Sequence, residues 1–305
     1  LAAGARIAVI SPASPFREEE LEQGLGELRA MGFEPAVDPR IFERQAYVSG
    51  PAALRAAVAR AALEDPTVDA LIGARGGYGS VQILPYLDPD LLRSARKPVI
   101  GYSDLTALLQ FVTLGCGLVS FHGPTVAGRL SAGAAGYDRV SFLGLLTCAE
   151  PLGAMAPAGL DVIRPGSASG VLVGGTLTQL CASLGTPFAF DPPPGAVVFI
   201  EDVHERPYRI DRMLTQLRQA GVLARASALV FGEFPGCDEP GAAVSVREVV
   251  AQACAERRGP VLWGFPAGHT TGPAWTLPLG VRVRVVADPV APALIVEEAA
   301  VAAGS

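Results

Sequence analysis

The chain has 305 residues, half of them hydrophobic and only 18% charged, with a formal net charge of -6 at pH 7. That length supports one large or two ordinary domains with substantial cores. The acidic balance, without a cluster of Lys or Arg, argues against an electrostatic hold on nucleic acid or on an anionic membrane.

The start, Leu1-Ala2-Ala3-Gly4-Ala5-Arg6, runs straight into a strand-like segment without the basic and apolar regions of a secretion signal. Apolar runs are broken well before the ~20 residues a spanning helix needs, so a cytoplasmic protein is expected. Cys116, Cys148, Cys181, Cys237 and Cys254 are widely spaced with no Cys-x-x-Cys pair, which fits free thiols in a reducing compartment. Cys116 and Cys181 lie beside or within apolar patterns and read as core residues.

From the N-terminus, continuous apolar runs predict strands over Arg6 to Ile10, Glu34 to Val37, Asp69 to Gly73, Pro98 to Tyr102 and Leu118 to His122. Helical spacing separates them at Glu18 to Met31, Ala52 to Leu63 and Asp104 to Leu114. Alternating strands and helices make a parallel, doubly wound α/β sheet, whose ligands meet loops at the carboxyl edge. Ser11-Pro12-Ala13-Ser14-Pro15, the segment Ala74 to Ser80, and Ser103 all fall on that edge.

Glu150 to Ser169, rich in Pro, Gly and Ala, reads as an interdomain crossover. Beyond it, strands are expected over Val171 to Gly174, Val197 to Ile200, Ala228 to Phe231, Val261 to Trp263, Val281 to Val286 and Leu294 to Val296. Helices are expected over Thr176 to Leu184, Tyr208 to Ala220 and Ser245 to Ala255. Pro207 is placed to start the second of these, with Ile210, Met213, Leu214 and Leu217 as its buried stripe. The resulting division is an N-terminal domain over 1–148, a crossover over 149–169 and a C-terminal domain over 170–305.

In Val99-Ile100-Gly101-Tyr102-Ser103-Asp104, an apolar run stops at a serine and a helical pattern begins at once. A serine on such a strand-to-helix corner can be a nucleophile beside the helix's free N–H groups. Ser103 or Asp104 can equally be a helix N-cap. The loop Gly73-Ala74-Arg75-Gly76-Gly77-Tyr78-Gly79-Ser80 is open to three readings: a phosphate cradle, a tight turn, or half of an oxyanion hole. It lacks the Gly-Lys-Ser/Thr ending of a P-loop. In the third reading, the N–H groups of Gly77 and Asp104 converge on a carbonyl oxygen attacked by Ser103.

Only His122, His204 and His269 can supply an imidazole base. His269, in Gly264-Phe265-Pro266-Ala267-Gly268-His269, is the most loop-bound, and catalytic groups tend to sit on loops. For an orienting carboxylate, Glu201 follows Val197-Val198-Phe199-Ile200 at a strand's carboxyl end. Its bland alternative is a ladder-end charge paired with Arg206 or Arg209. Neither a His-Glu-x-x-His pattern nor a Cys/His ligand set supports metal binding around Glu201, His204 and Glu205.

Taken in order, Arg75-Gly76-Gly77-Tyr78-Gly79, Gly101-Tyr102-Ser103-Asp104, Ile200-Glu201-Asp202, Pro207-Tyr208-Arg209-Ile210-Asp211-Arg212, Gly268-His269 and Thr276-Leu277-Pro278-Leu279-Gly280 strongly resemble the L,D-carboxypeptidases. This family of serine peptidases acts on muramoyltetrapeptides and also contains microcin-immunity proteins. The resemblance implies a Ser-His-Glu triad of Ser103, His269 and Glu201, with the backbone N–H groups of Gly77 and Asp104 as oxyanion hole. It further implies a flavodoxin-like N-terminal domain joined to a smaller, β-rich α/β C-terminal domain, with the site in the cleft between them.

The expected activity is hydrolysis, through an acyl-enzyme, of the bond that holds the terminal D-alanine of cytoplasmic muropeptide tetrapeptides during peptidoglycan recycling. Neither metal nor organic cofactor is implied, and a homodimer is the family expectation. A free terminal carboxylate calls for a cation near the cleft, and Arg75 is the candidate. Where many relatives read Gly-Gly-Asn-Leu, this chain has Gly174-Gly175-Thr176-Leu177, which replaces an amide that could contact substrate with a shorter hydroxyl. The alternatives are a microcin-immunity-type amidase acting on acyl-adenylate analogues and a non-catalytic peptide- or sugar-binding module. The region from Gly174 to Pro187 looks more like the carboxypeptidase branch.

Overall fold

A computed structural model describes residues 1–241 and 244–302. The first half carries β1 (Arg6–Ile10), α1 (Glu18–Ala30), β2 (Glu34–Val37), α2 (Ala52–Glu64), β3 (Ala70–Gly73), α3 (Pro89–Ala95), β4 (Val99–Gly101), α4 (Thr106–Gln110), β5 (Ser120–His122) and α5 (Arg139–Thr147). The second half carries β6 (Gly153–Met155), β7 (Asp161–Arg164), β8 (Gly166–Thr176), α6 (Leu177–Ser183), β9 (Val197–Glu201), α7 (Pro207–Gln219), α8 (Val222–Arg225) and β10 (Ala228–Phe231). It continues through α9 (Val246–Ala253), β11 (Val261–Trp263), β12 (Leu277–Leu279), β13 (Arg282–Ala287) and β14 (Ala293–Val296). Among the described residues, no helix is long and apolar enough to cross a membrane.

Two sheets organise this mixed α/β structure. The first has six strands in the order β12-β5-β4-β3-β1-β2, parallel over β1 to β5 and closed by an antiparallel β12. The run β2-β1-β3-β4-β5 is the flavodoxin order, and its switch point lies between β1 and β3. The second has eight strands in the order β6-β14-β13-β8-β9-β10-β11-β7. Its centre, β8 to β11, is parallel, while β7, β13, β14 and β6 pair antiparallel.

The apolar runs become these strands because both faces are covered. In β9, Val197 and Phe199 face a core that continues into the first sheet through Ile100, Phe121 and Leu277. Val198 and Ile200, one step out of phase, face a second core with Ile210, Leu214 and Leu217 of α7. The predicted stripe of α7 is therefore the buried one, and Pro207 sits in its first turn, where no N–H is needed.

The structure departs from the sequence reading in several places. The stretch 149–169, expected as an irregular crossover, contains β6, β7 and the start of β8. Strand character is masked there because these strands are only three and four residues long and mostly half-buried or exposed, with no continuous apolar run. Likewise, the helix expected over Asp104 to Leu114 is a composite: a 3-10 turn, α4, and a wide turn at Phe111–Gly115 in which the Cys116 N–H reaches the Phe111 carbonyl. Helices α3, α5 and α8 and strand β12 are additions to the sequence reading, although α3 and α5 each start at an Asp whose side chain accepts a backbone N–H in its first turn.

One close approach positions the segment 125–131, part of the wall of the site described below. A Cβ on Gly24 in α1 would lie 2.1 Å from the Val126 carbonyl oxygen. Backbone cannot yield as a flexible side chain does, so Gly24→Ala is expected to lower stability by about 1–3 kcal/mol. A fall in denaturant midpoint at unchanged m-value would record it.

Candidate active site

At the end of β4 the chain is extended at Tyr102 and then turns left-handed at Ser103, with φ +65°. A non-glycine residue in this region costs about 1–2 kcal/mol and persists only where the surroundings impose it. The capping alternative does not describe these side chains, because the N-cap positions fall on Tyr102 and Leu105 and the Asp104 carboxylate bonds to Ser80 instead. Asp104 is buried and turned the other way: its Oδ2 accepts the Ser80 N–H at 2.7 Å, and its carbonyl accepts the Ser80 hydroxyl. Burial pushes the Asp104 carboxyl up. This pair ties the end of the glycine loop to the corner.

The glycine loop is also fixed from the other side. The Ser14 N–H donates to the Gly76 carbonyl at 3.3 Å, and the Ser14 hydroxyl accepts the Tyr78 N–H at 3.1 Å. The buried Arg55 guanidinium donates to the Pro12 and Gly79 carbonyls and to Gln82 Oε1. Gly77, at φ +105°, lies in a conformation that side chains rarely adopt.

Glu201 ends β9 and is wholly buried. Its Oε2 accepts the His269 backbone N–H at 2.9 Å and pairs with His269 Nδ1 at 2.8 Å, while its Oε1 accepts the Thr176 hydroxyl. The surface-pair alternative does not hold, since Arg206 bridges Glu239 and Arg209 bridges Glu205. With Nδ1–H committed to a carboxylate, the neutral imidazole keeps its lone pair on Nε2.

Ser103 and His269 line one pocket of about 390 Å³ together with Gly77, Tyr102, Arg75 and Glu20. The ring of Tyr102 packs edge-on against His269 at 5.1 Å between centroids. Arg75 is exposed and donates to the Pro15 carbonyl at 3.3 Å. The loop around His269 is braced by Arg129, which donates to the carbonyls of Gly268, Thr270 and Gly272. Glu233 accepts both the N–H and the hydroxyl of Thr271.

Electrostatics set the protonation states. Burial alone would raise the Glu201 carboxyl, but His269, by charge and hydrogen bond, and the Thr176 hydroxyl hold it below its ordinary value. Burial opposes charging of His269, yet the Glu201 charge and hydrogen bond lift it above the ordinary histidine value. His122 is pushed down to about 4 by burial, and both its ring nitrogens lie buried without a hydrogen-bond partner. It is a neutral wall residue against Tyr102 and Phe199, not a base. His204 is exposed, with φ +55°, and is not part of this pocket.

Among the described residues, no group of three His, Cys, Asp or Glu side chains is placed to hold a metal ion. Cys116, Cys181, Cys237 and Cys254 are buried and Cys148 is exposed; burial pushes the thiols of Cys181 and Cys237 up to about 12.

Three contributors lie beyond the sequence reading. Arg129 follows no motif. Asp202 is pushed up to about 6 by burial and by the Glu201 charge, and it accepts the N–H and hydroxyl of Thr178. Thr176, which the sequence presents only as the replacement for a substrate-contacting amide, turns its hydroxyl onto Glu201 instead.

The depressed His122 value fixes the sign of one pH effect. The folded state prefers neutral His122, so its contribution is fully present above about pH 6.5 and drains away as pH falls toward 4. His122→Phe should remove that slope. From pH 7 to 4, its unfolding free energy should gain on wild type by about 3 kcal/mol, because the slope is roughly 1.4 kcal/mol per pH unit between the unfolded and folded values. Parallel urea titrations at several pH values measure the difference.

A family profile described as the LD-carboxypeptidase N-terminal domain matches residues 7–123, and one described as the LD-carboxypeptidase C-terminal domain matches residues 169–285. A Streptomyces coelicolor protein that carries a carboxypeptidase name is 39% identical over 301 residues, which cover 94% of this chain and 92% of the relative. The structure of a muramoyltetrapeptide carboxypeptidase from Oxalobacter formigenes superposes with a TM-score of 0.85 at 28% identity, covering 96% of this chain and 99% of that one. The Escherichia coli microcin C7 self-immunity protein MccF is 27% identical over 91% of this chain and 88% of its own length. Its complex with aspartyl sulfamoyl adenosine superposes with a TM-score of 0.89 at 25% identity, covering 98% and 97% of the two chains.

Proposed function

The chain belongs to the LD-carboxypeptidase family, and from that premise we propose that it is a cytoplasmic serine carboxypeptidase releasing the terminal D-alanine from muropeptide tetrapeptides. The observation that carries this reading is the joint exposure of Ser103 and His269 to one pocket, with Glu201 buried on Nδ1 of the histidine. In this mechanism His269 Nε2 takes the Ser103 hydroxyl proton as Oγ attacks the carbonyl carbon. The N–H groups of Gly77 and Asp104 stabilise the oxyanion that forms. As the intermediate collapses, His269 returns the proton to the departing D-alanine amine. A water molecule, activated by the same imidazole, then hydrolyses the acyl-enzyme.

Opposite charges in the pocket suit a zwitterionic peptide. Arg75 would pair with the free terminal carboxylate, and Glu20 with the side-chain amine of diaminopimelate or lysine. The likeness to MccF makes an acyl-sulfamoyl adenosine the comparison substrate.

The test is mass-spectrometric assay of wild type and Ser103→Ala with L-Ala-γ-D-Glu-meso-diaminopimelate-D-Ala and, in parallel, with aspartyl sulfamoyl adenosine. Wild type should release D-alanine, and Ser103→Ala should be slower by at least about a thousandfold with an unchanged melting temperature. Cleavage of the adenosine compound alone would transfer the assignment to an amidase, and cleavage of neither would leave a binding module.

The same geometry sets the pH dependence. His269 must be neutral to accept the serine proton, and Glu201 holds its value above the ordinary one. Activity should therefore rise with pH through a limb lying above 6.5. Glu201→Gln should move that limb downward and reduce kcat/KM by about a hundredfold or more. A pH–rate profile in which the limb stays in place would contradict the assignment of Glu201.

A further inference from the structure

We propose that Thr176 is a positioning residue that locks the Glu201 carboxylate in register with the helix following Ser103. The proposal rests on the Ser103-His269-Glu201 reading above. Its starting point is the valence of a buried carboxylate. Two oxygens inside a protein need donors on both, because each orphaned lone pair forfeits hydration without compensation. Oε2 is satisfied twice by His269, and Oε1 receives the Thr176 hydroxyl.

Thr176 itself is held from the other half of the molecule. Its backbone N–H donates to Thr106 Oγ1 at 3.1 Å, and the two hydroxyls stand 3.4 Å apart. Thr106 is the first residue of α4, three positions beyond Ser103. The approach is close because residue 175 is a glycine: a Cβ there would lie 2.6 Å from Thr106 Oγ1. Both threonines are buried. A continuous path therefore runs from the serine corner through Thr106 and Thr176 to Glu201 and on to His269, joining the first half of the chain to the second.

A valine at 176 keeps the shape but leaves Oε1 without its donor. The carboxylate keeps its bond to His269 but is free to tilt about it, so the pair loses its fixed alignment with the serine corner. Its charge, no longer shared with a hydroxyl donor, pulls the imidazole value upward. The titratable and charged groups facing this cluster are Glu201, His269, His122, Asp202, Tyr102 and Arg129, and all remain in the variant. Thr176→Ser retains the hydroxyl.

The experiment compares wild type, Thr176→Val and Thr176→Ser by three measurements: phosphonylation rate of Ser103 with a serine-directed fluorophosphonate, D-alanine release, and titration of the His269 imidazole by NMR. Thr176→Val should label and turn over about ten- to a hundredfold more slowly at unchanged KM, and its His269 titration should move to higher pH. Thr176→Ser should stay within about threefold of wild type on the same basis, with the titration unmoved. A wild-type His269 titration in Thr176→Val overturns the proposal, as does a Thr176→Ser variant that matches Thr176→Val. Circular-dichroism melts establish that both variants are folded. The imidazole titration needs no substrate, so a wild type that labels without releasing D-alanine defeats the substrate reading while Thr176 is still tested.

Discussion

A fully buried glutamate is costly to hold in charged form, and much of the site follows from compensating it. Isolated from water, a carboxylate would take up a proton and cease to act on a neighbouring imidazole. Glu201 stays ionised because donors reach it from two directions: His269 on one oxygen and Thr176 on the other. Neither donor belongs to the strand that carries the glutamate. Each must be brought in by a separate piece of chain, and those pieces are held by their own buried polar contacts: Arg129 on the histidine loop and Thr106 behind Thr176. Glycine at 268 is part of the same solution, since a Cβ there would lie 2.8 Å from Glu201 Cδ and 2.6 Å from His122 Nε2.

The two acids that end β9 behave differently for the same reason. Glu201 has a histidine against it and sits below its ordinary value; Asp202 has only hydroxyl and amide donors and rises to about 6. Adjacent carboxylates at one strand end cannot both hold full charge cheaply. Ionisation of Asp202 is thus opposed by Glu201, and its charge in turn helps to lift His269.

Much of this is legible in the residues. Strands buried on both faces leave continuous apolar runs, and that signal bounds β1, β3, β9 and β10 closely. Ser103 and Glu201 stand out because each breaks such a run at a carboxyl edge. His269 is singled out from three candidates by its loop and by family resemblance. What stays hidden depends on tertiary partners. Half-exposed β6 and β7 have no apolar run to mark them. Arg129 and Thr176 act through contacts 139 and 25 positions away, and local pattern carries no trace of a contact at that range. Thr176 also shows the limit of reasoning by replacement: in place of an amide it reads as a lost substrate contact, whereas its hydroxyl is turned onto Glu201 Oε1.

Strand β12 comes late in the chain yet completes the early sheet, pairing Leu277, Pro278 and Leu279 with His122, Phe121 and Ser120. During synthesis, then, β5 stays an open edge with unpaired backbone groups until residues 277–279 have been made, and an open edge invites pairing with other chains. The loop that carries His269 lies just ahead of that strand in the chain. Ser103 is made early in synthesis, and His269 only shortly before the strand that completes the sheet. A product that stops before residue 277 therefore leaves the β5 edge without its outer partner.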